Sequence, residues 1–135
     1  METSFIEAAH CMKQITEEWI KKAESDFSDA HAERLSVDLV CFLSQQCVEK
    51  YLKGYLQEHD IRFPKTHDLE DLLDLAIDKQ PIWEAWRSSF AGLTQYAAEF
   101  RYPGEWANEK DAVAALRIAT GFRSDIRSLL LSTDA

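Results

Sequence analysis

One pattern constrains this chain more than any other. Apolar side chains recur at spacings of three and four along nearly its whole length, and no segment alternates with the period of two that a strand needs. Ser4-x-x-Glu7 forms a capping box, in which each side chain satisfies an N–H that the first helical turn leaves open. Ala8, Met12, Ile15, Trp19, Ala23, Phe27 and Ala30 then fall on one face and predict a first helix over 5–31, with a point of interruption near Thr16. A second helix over 36–58 carries Leu39, Val40, Leu43, Cys47, Tyr51, Leu52, Tyr55 and Leu56. Asp60 to Thr66 holds a proline and no periodicity, so it reads as a loop. Thr66 or Asp68 can cap a short third helix over 68–79, with Leu69, Leu72, Leu73 and Ala76 inside. Pro81 suits the first turn of a fourth helix, where Trp83, Trp86, Phe90, Leu93, Ala97 and Phe100 keep the spacing for five turns. After "RYPGEW" a fifth helix over 109–131 would bury Ala115, Ile118, Ala119, Phe122, Ile126 and Leu129. The reading is all-α: a mostly antiparallel, up-and-down bundle of four long helices and one short one, in a single domain over 1–135.

Composition agrees with one buried core. The chain has 135 residues, 46% of them apolar and 29% charged, which is globular rather than disordered usage. Cys11, Cys41 and Cys47 are odd in number and form no C-x-x-C pair, so reduced thiols in a cytoplasmic protein are expected. "LVCFLSQQCV" is too short to cross a bilayer, and the acidic N-terminus does not read as a signal peptide. The net charge is −9 and no segment is a basic tract. Broad, non-specific binding to nucleic acid is therefore disfavoured, since that affinity comes from neutralising phosphates.

Several chemistries are excluded by pattern. Gly54, Gly92, Gly104 and Gly121 are scattered and form no phosphate-cradling loop, and no G-x-S-x-G is present. His10, His31, His59 and His67 never fall at i, i+4, so no helical metal pair exists, and neither a metal nor a cofactor is expected. Asp71, Asp74 and Asp78 share a face of the third helix, as a solvated surface or a dock for a basic partner. The second helix is less ordinary. Gln45, Gln46, Glu49, Lys50 and Lys53 stand among its apolar residues, with Glu49 and Lys53 in the favourable i, i+4 order. Such a strip is either a solvent face or a polar seam in a groove. The large aromatics Trp83, Trp86 and Phe90 exceed what so small a bundle is expected to cover, and suggest an interface.

Four stretches, in order, resemble the HEPN domain family (higher eukaryotes and prokaryotes nucleotide-binding). "FLSQQCVEKYLKGYL" is similar to its central helix, where Gln-Gln precedes Glu-Lys and a further Lys. "WIKKAESDF" resembles its first-helix pattern, "PKTHDLEDLL" its Thr-His-Asp-Leu passage into a short helix, and "YAAEFRYPGEW" its Tyr and Arg-Tyr-Pro turn. The resemblance spans about 17–130 and implies an antiparallel helical bundle that commonly pairs as a homodimer. Many members are encoded beside a minimal nucleotidyltransferase in toxin–antitoxin-like modules, and others are metal-independent ribonucleases.

The ribonuclease members carry an Arg and a His with four to six residues between them, near the start of the last long helix. Arg101 stands at that place here, but Trp106, Ala107 and Asn108 occupy the positions for the His. Arg62 and His67 have the right spacing in the wrong place, and about 0.6 such pairs arise by chance in a chain of this composition. Their expected role is not catalytic, and His67 reads as a capping and packing residue of the loop before the third helix. The resemblance thus implies a non-catalytic module binding a nucleotide, a nucleotidyltransferase partner, or both. Its ligand contacts would be Lys50, Lys53 and Arg101, supported by Gln46 and Tyr102. A metal-independent endoribonuclease with a displaced site built from Arg101, His67 or Arg62, and a purely structural dimer, are the alternatives.

Overall fold

The structure is a computed structural model that describes residues 12–32, 35–98, 104 and 106–132. Five α-helices lie within them: α1 (Gln14–Ala30), α2 (Val37–Glu58), α3 (Leu69–Ala76), α4 (Arg87–Thr94) and α5 (Glu109–Ser132), with a 310 turn at Pro81–Trp86 before α4. No strand occurs among the described residues. The chain is all-α, as its periodicity requires.

Contacts fix the directions of the helices. The backbone N–H of Lys13, before α1, donates to Glu58 at the end of α2, and Asp26, late in α1, meets Lys50, so α1 and α2 are antiparallel. From Asp60 the loop doubles back along α2, and Gln45 Nε2 holds the carbonyl of His67 at 3.0 Å. Gln80 then reaches the Tyr55 hydroxyl, while Thr94 Oγ1 accepts from Leu69 N–H, so α3 runs up beside α2 and α4 returns. At the next ascent, the N–H of Ala107 donates to Asp38 at the start of α2.

α2 is the central element. It packs against α1, α3 and α5, and Val48, Tyr51, Leu52 and Leu56 are fully enclosed. Gly54 lets α1 come close, since a Cβ there would stand 3.0 Å from Ile20 Cδ1. The core continues through Ile20, Ala23, Leu69, Leu72, Leu73, Phe122 and Ile126. Edge-on aromatic contacts join Trp83, Phe90 and Phe122.

Several sequence expectations change. α1 begins at Gln14 behind an extended Lys13, so the chain is non-helical three residues before Thr16, close to the expected break, and the Ser4–Glu7 capping box falls outside the described residues. Ile15 is 45% exposed, and Thr16 and Ile20 take the buried face instead. The third helix stops at Ala76, which leaves Asp78 beyond it. Asp68 is its cap, accepting from Glu70 N–H, while Thr66 accepts from Asp68 N–H one step earlier. The long fourth helix is instead a 310 turn followed by eight α-helical residues, so Ala97 is not helical and Phe100 lies outside the described residues. Pro81 does open the turn.

The aromatic face is also not left bare. Trp83 is 2% exposed and Phe90 wholly buried. Trp86 is half-buried, stacked on Phe90 with its Nε1 donating to Asp125 at 2.9 Å. Gly121 accommodates it, because a Cβ at that position would lie 2.7 Å from Trp86 Cη2. The fold therefore absorbs the ring surface that had suggested an interface.

Candidate functional site: a buried carboxylate and an open histidine

The polar strip of α2 lies in a groove. The i, i+4 repeat stacks Gln45, Glu49 and Lys53 in one row, and the returning loop covers that row. Glu49 is only 3% exposed. Its carboxylate takes Lys53 Nζ at 2.9 Å, Gln45 Nε2 at 3.2 Å and His67 Nδ1 at 3.0 and 3.2 Å. A charge buried this deeply persists only with such compensation.

Lys53 is itself buried, at 7% exposure. Its ammonium lies 5.7 Å from the ring centre of Trp19 and 5.9 Å from that of Phe63, so two aromatic faces replace part of its hydration. Lys50, nearly one turn earlier, pairs with Asp26 at 2.6 Å and keeps 22% of its side chain exposed. Gln46 Nε2 donates to Gln45 Oε1 at 2.8 Å. The structure thus gathers Gln46, Lys50 and Lys53 on one seam, with both ammonium groups already paired with acids. Arg101 and Tyr102 lie outside the described residues.

His67 is not the helix cap that its position suggested. Its ring is 68% exposed while its Nδ1 faces Glu49. A carboxylate only accepts, so Nδ1 carries the hydrogen toward Glu49, and Nε2 is left on the other side of a ring open to solvent. Arg62 is exposed, and no hydrogen bond or ion pair joins it to His67.

A second cluster was not legible in the sequence. Glu24 of α1 accepts from Arg123 Nε at 2.9 Å and from Arg123 Nη2 at 3.0 Å, across 99 residues of chain. The Tyr51 hydroxyl donates to the same carboxylate, and Arg127 lies 3.8 Å away. The Arg123 guanidinium stands 4.5 Å over the Phe27 ring. Burial, together with the neighbouring Cys47 and Glu24, pushes the Tyr51 phenol far up from its ordinary range. Burial first, then Asp26 and Glu24, likewise pushes the Cys47 thiol up. Glu24, Phe27, Ser28, His31 and Arg123 line a hollow of about 320 Å3 beside this cluster.

The start of α5 is held by capping contacts. Asn108 and Asp111 exchange backbone-to-side-chain hydrogen bonds, both at 2.9 Å, and so cap the helix reciprocally. Ala107 is tied to Asp38, and Trp106 stands 77% exposed. Among the described residues no group of three or more His, Cys, Asp and Glu could hold a metal ion. Nor is any described helix long and apolar enough to cross a membrane.

Four helices packed on a central α2, with an Asp-Leu helix start and a polar Gln-Gln-x-x-Glu-Lys seam, define an all-α bundle of the HEPN kind. The HEPN domain model matches residues 16–129. The chain belongs to the HEPN domain family. The crystal structure of an archaeal HEPN homologue is similar to it with a TM-score of 0.67 at 29% identity, over 88% of this chain and 99% of that one. No curated protein matches the chain.

Proposed function

We propose that this chain is a non-catalytic HEPN-type binding module, which takes a nucleotide, a minimal nucleotidyltransferase partner, or both, in a toxin–antitoxin-like pair. It works in the cytoplasm as a homodimer. The observation that carries this reading is the start of α5. Where family nucleases place a His, this chain has an exposed Trp, an Ala tied to Asp38, and an Asn consumed in capping. None of the three can move a proton at neutral pH. The ligand contacts in this reading are Gln46, Lys50, Lys53, Arg101 and Tyr102. Lys50 offers the more accessible ammonium, while Lys53 adds charge from within the groove.

Native mass spectrometry of the protein purified from its own host tests ligand and assembly together. A dimer retaining a nucleotide, or a nucleotidyltransferase chain, supports the module. A bare monomer, seen also by light scattering across micromolar concentrations, removes it.

One observation favours a second reading, an endoribonuclease with a displaced site: His67 stands open to solvent on a buried carboxylate. A fluorescent RNA incubated with EDTA separates the two. No cleavage is expected. Cleavage abolished by both His67→Ala and Arg101→Ala would establish the nuclease.

A further inference from the structure

We infer that His67 Nε2 is a built nucleophile that accepts a phosphoryl group from a small activated phosphate. This holds whether or not the chain binds a nucleotide or a nucleotidyltransferase.

Three features of the site carry the inference. The first is orientation. Gln45 Nε2 fixes the His67 carbonyl at 3.0 Å, and Glu49 meets Nδ1 with both oxygens at 3.0 and 3.2 Å, so ring and tautomer are set from behind. The reactive lone pair then sits on the solvent side, on a side chain 68% exposed. The second is charge. When Nε2 forms a bond, the imidazole becomes an imidazolium, and its positive charge develops at Nδ1–H against the Glu49 carboxylate. That carboxylate is 3% exposed, so water screens the attraction little. Lys53, Gln45 and the fold hold Glu49 in place before any reaction occurs, which makes Glu49 a positioning residue. The third is the approach. Arg62 and Lys65 precede His67 in the same loop, both exposed and neither in an ion pair among the described residues. In a protein of net charge −9 they are a local attraction for an anionic phosphoryl donor. The nearby acids are turned to other tasks: Asp68 caps α3, and Asp71 accepts from Thr66.

With phosphoramidate as donor, the step balances. The Nε2 lone pair attacks phosphorus and a P–N bond forms. The donor, whose nitrogen is –NH3+ near neutral pH, loses its own P–N bond, and the electron pair leaves with neutral ammonia. The Nδ1 proton stays on the ring, shared with Glu49, and nothing is oxidised or reduced.

His31 supplies an internal control. Its Nδ1 also faces an oxygen, at 2.8 Å, but that oxygen is the neutral carbonyl of Phe27. The full-length protein is treated with phosphoramidate near neutral pH, and adducts are mapped by mass spectrometry without acid. The expected result is an acid-labile adduct at His67 forming roughly tenfold faster than at His31, because a charged acceptor roughly doubles the strength of the supporting hydrogen bond. The adduct disappears in His67→Asn, and in Glu49→Gln the rate falls to that of His31. Equal rates at His31 and His67, or an undiminished rate in a folded Glu49→Gln, would overturn the inference. If Glu49→Gln does not fold, nitrogen-15 spectra of the wild-type imidazoles decide. Hydrogen on Nδ1 of His67 sustains the nucleophile, and hydrogen on Nε2 alone removes it.

Discussion

Arg123 of α5 grips Glu24 of α1 through two parallel hydrogen bonds, Nε to Oε2 at 2.9 Å and Nη2 to Oε1 at 3.0 Å. The side chains are 21% and 14% exposed, and the Tyr51 hydroxyl of α2 donates to the same carboxylate. One acid therefore pins three helices. Glu24→Ala should lower stability by about 2–4 kcal/mol, since it takes two charge-assisted hydrogen bonds from a partly buried guanidinium and one from a buried phenol. Urea unfolding monitored by circular dichroism measures this, and a loss below about 0.5 kcal/mol would show the cluster to be ornamental.

The same cluster sets an alkaline limit. The Cys47 thiol and the Tyr51 phenol both have folded pKa values raised above their ordinary ones, mainly by burial. Below about pH 9 both groups are protonated in the folded and the unfolded chain, and their contribution is constant. Above it the unfolded chain releases protons that the folded chain retains, so stability falls as pH rises. Melting temperature should decline from about pH 9 upward, and Cys47→Ala should delay the onset toward the ordinary phenol range near pH 10. A flat profile through that window would contradict the burial argument.

Lys53 tests the groove. Lys53→Ala strands the Glu49 carboxylate at 3% exposure and should cost about 3 kcal/mol. Lys53→Met keeps the stem packed between Trp19 and Phe63 but still removes the charge. Lys53→Met paired with Glu49→Leu should recover most of the loss, because an apolar pair of similar volume replaces the ion pair. Additive losses in the double variant, read from chemical denaturation, would rule this coupling out.

Thr16 points the other way. It is wholly buried, and its hydroxyl oxygen finds no hydrogen-bond partner among the described residues. Thr16→Val keeps the shape and removes the orphaned group, so it should raise stability by about 1 kcal/mol. A lower melting temperature in calorimetry would reveal a partner for that hydroxyl in solution.

Much of this was legible in the chain, for identifiable reasons. The three-and-four spacing located α2 within a residue at its start and placed Tyr51, Leu52 and Leu56 in the core, because a central helix leaves its apolar rows little choice. Glu49 and Lys53 were readable as a pair because both lie on one helix. The burial of that pair was not, since it depends on a loop folding back and on Trp19 from another helix. Glu24 and Arg123 gave no signal at all: their neighbourhood is created only when the first and last long helices meet. Local rules also overran on the fourth helix. Trp83 to Leu93 keeps a helical period, but the chain uses a 310 turn to bring Trp83 and Phe90 onto Phe122, so the periodicity outlived the helix.

Trp86 and Gly121 fit as a ring against a bare backbone, with no room for a methyl group between them. Neither position can therefore drift alone. A lineage that enlarges residue 121 must first shrink residue 86, and one that shrinks residue 86 opens a void that only a larger residue 121 refills. In divergent relatives of this chain, the two positions should change together or not at all, leaving a paired historical record of a single packing contact.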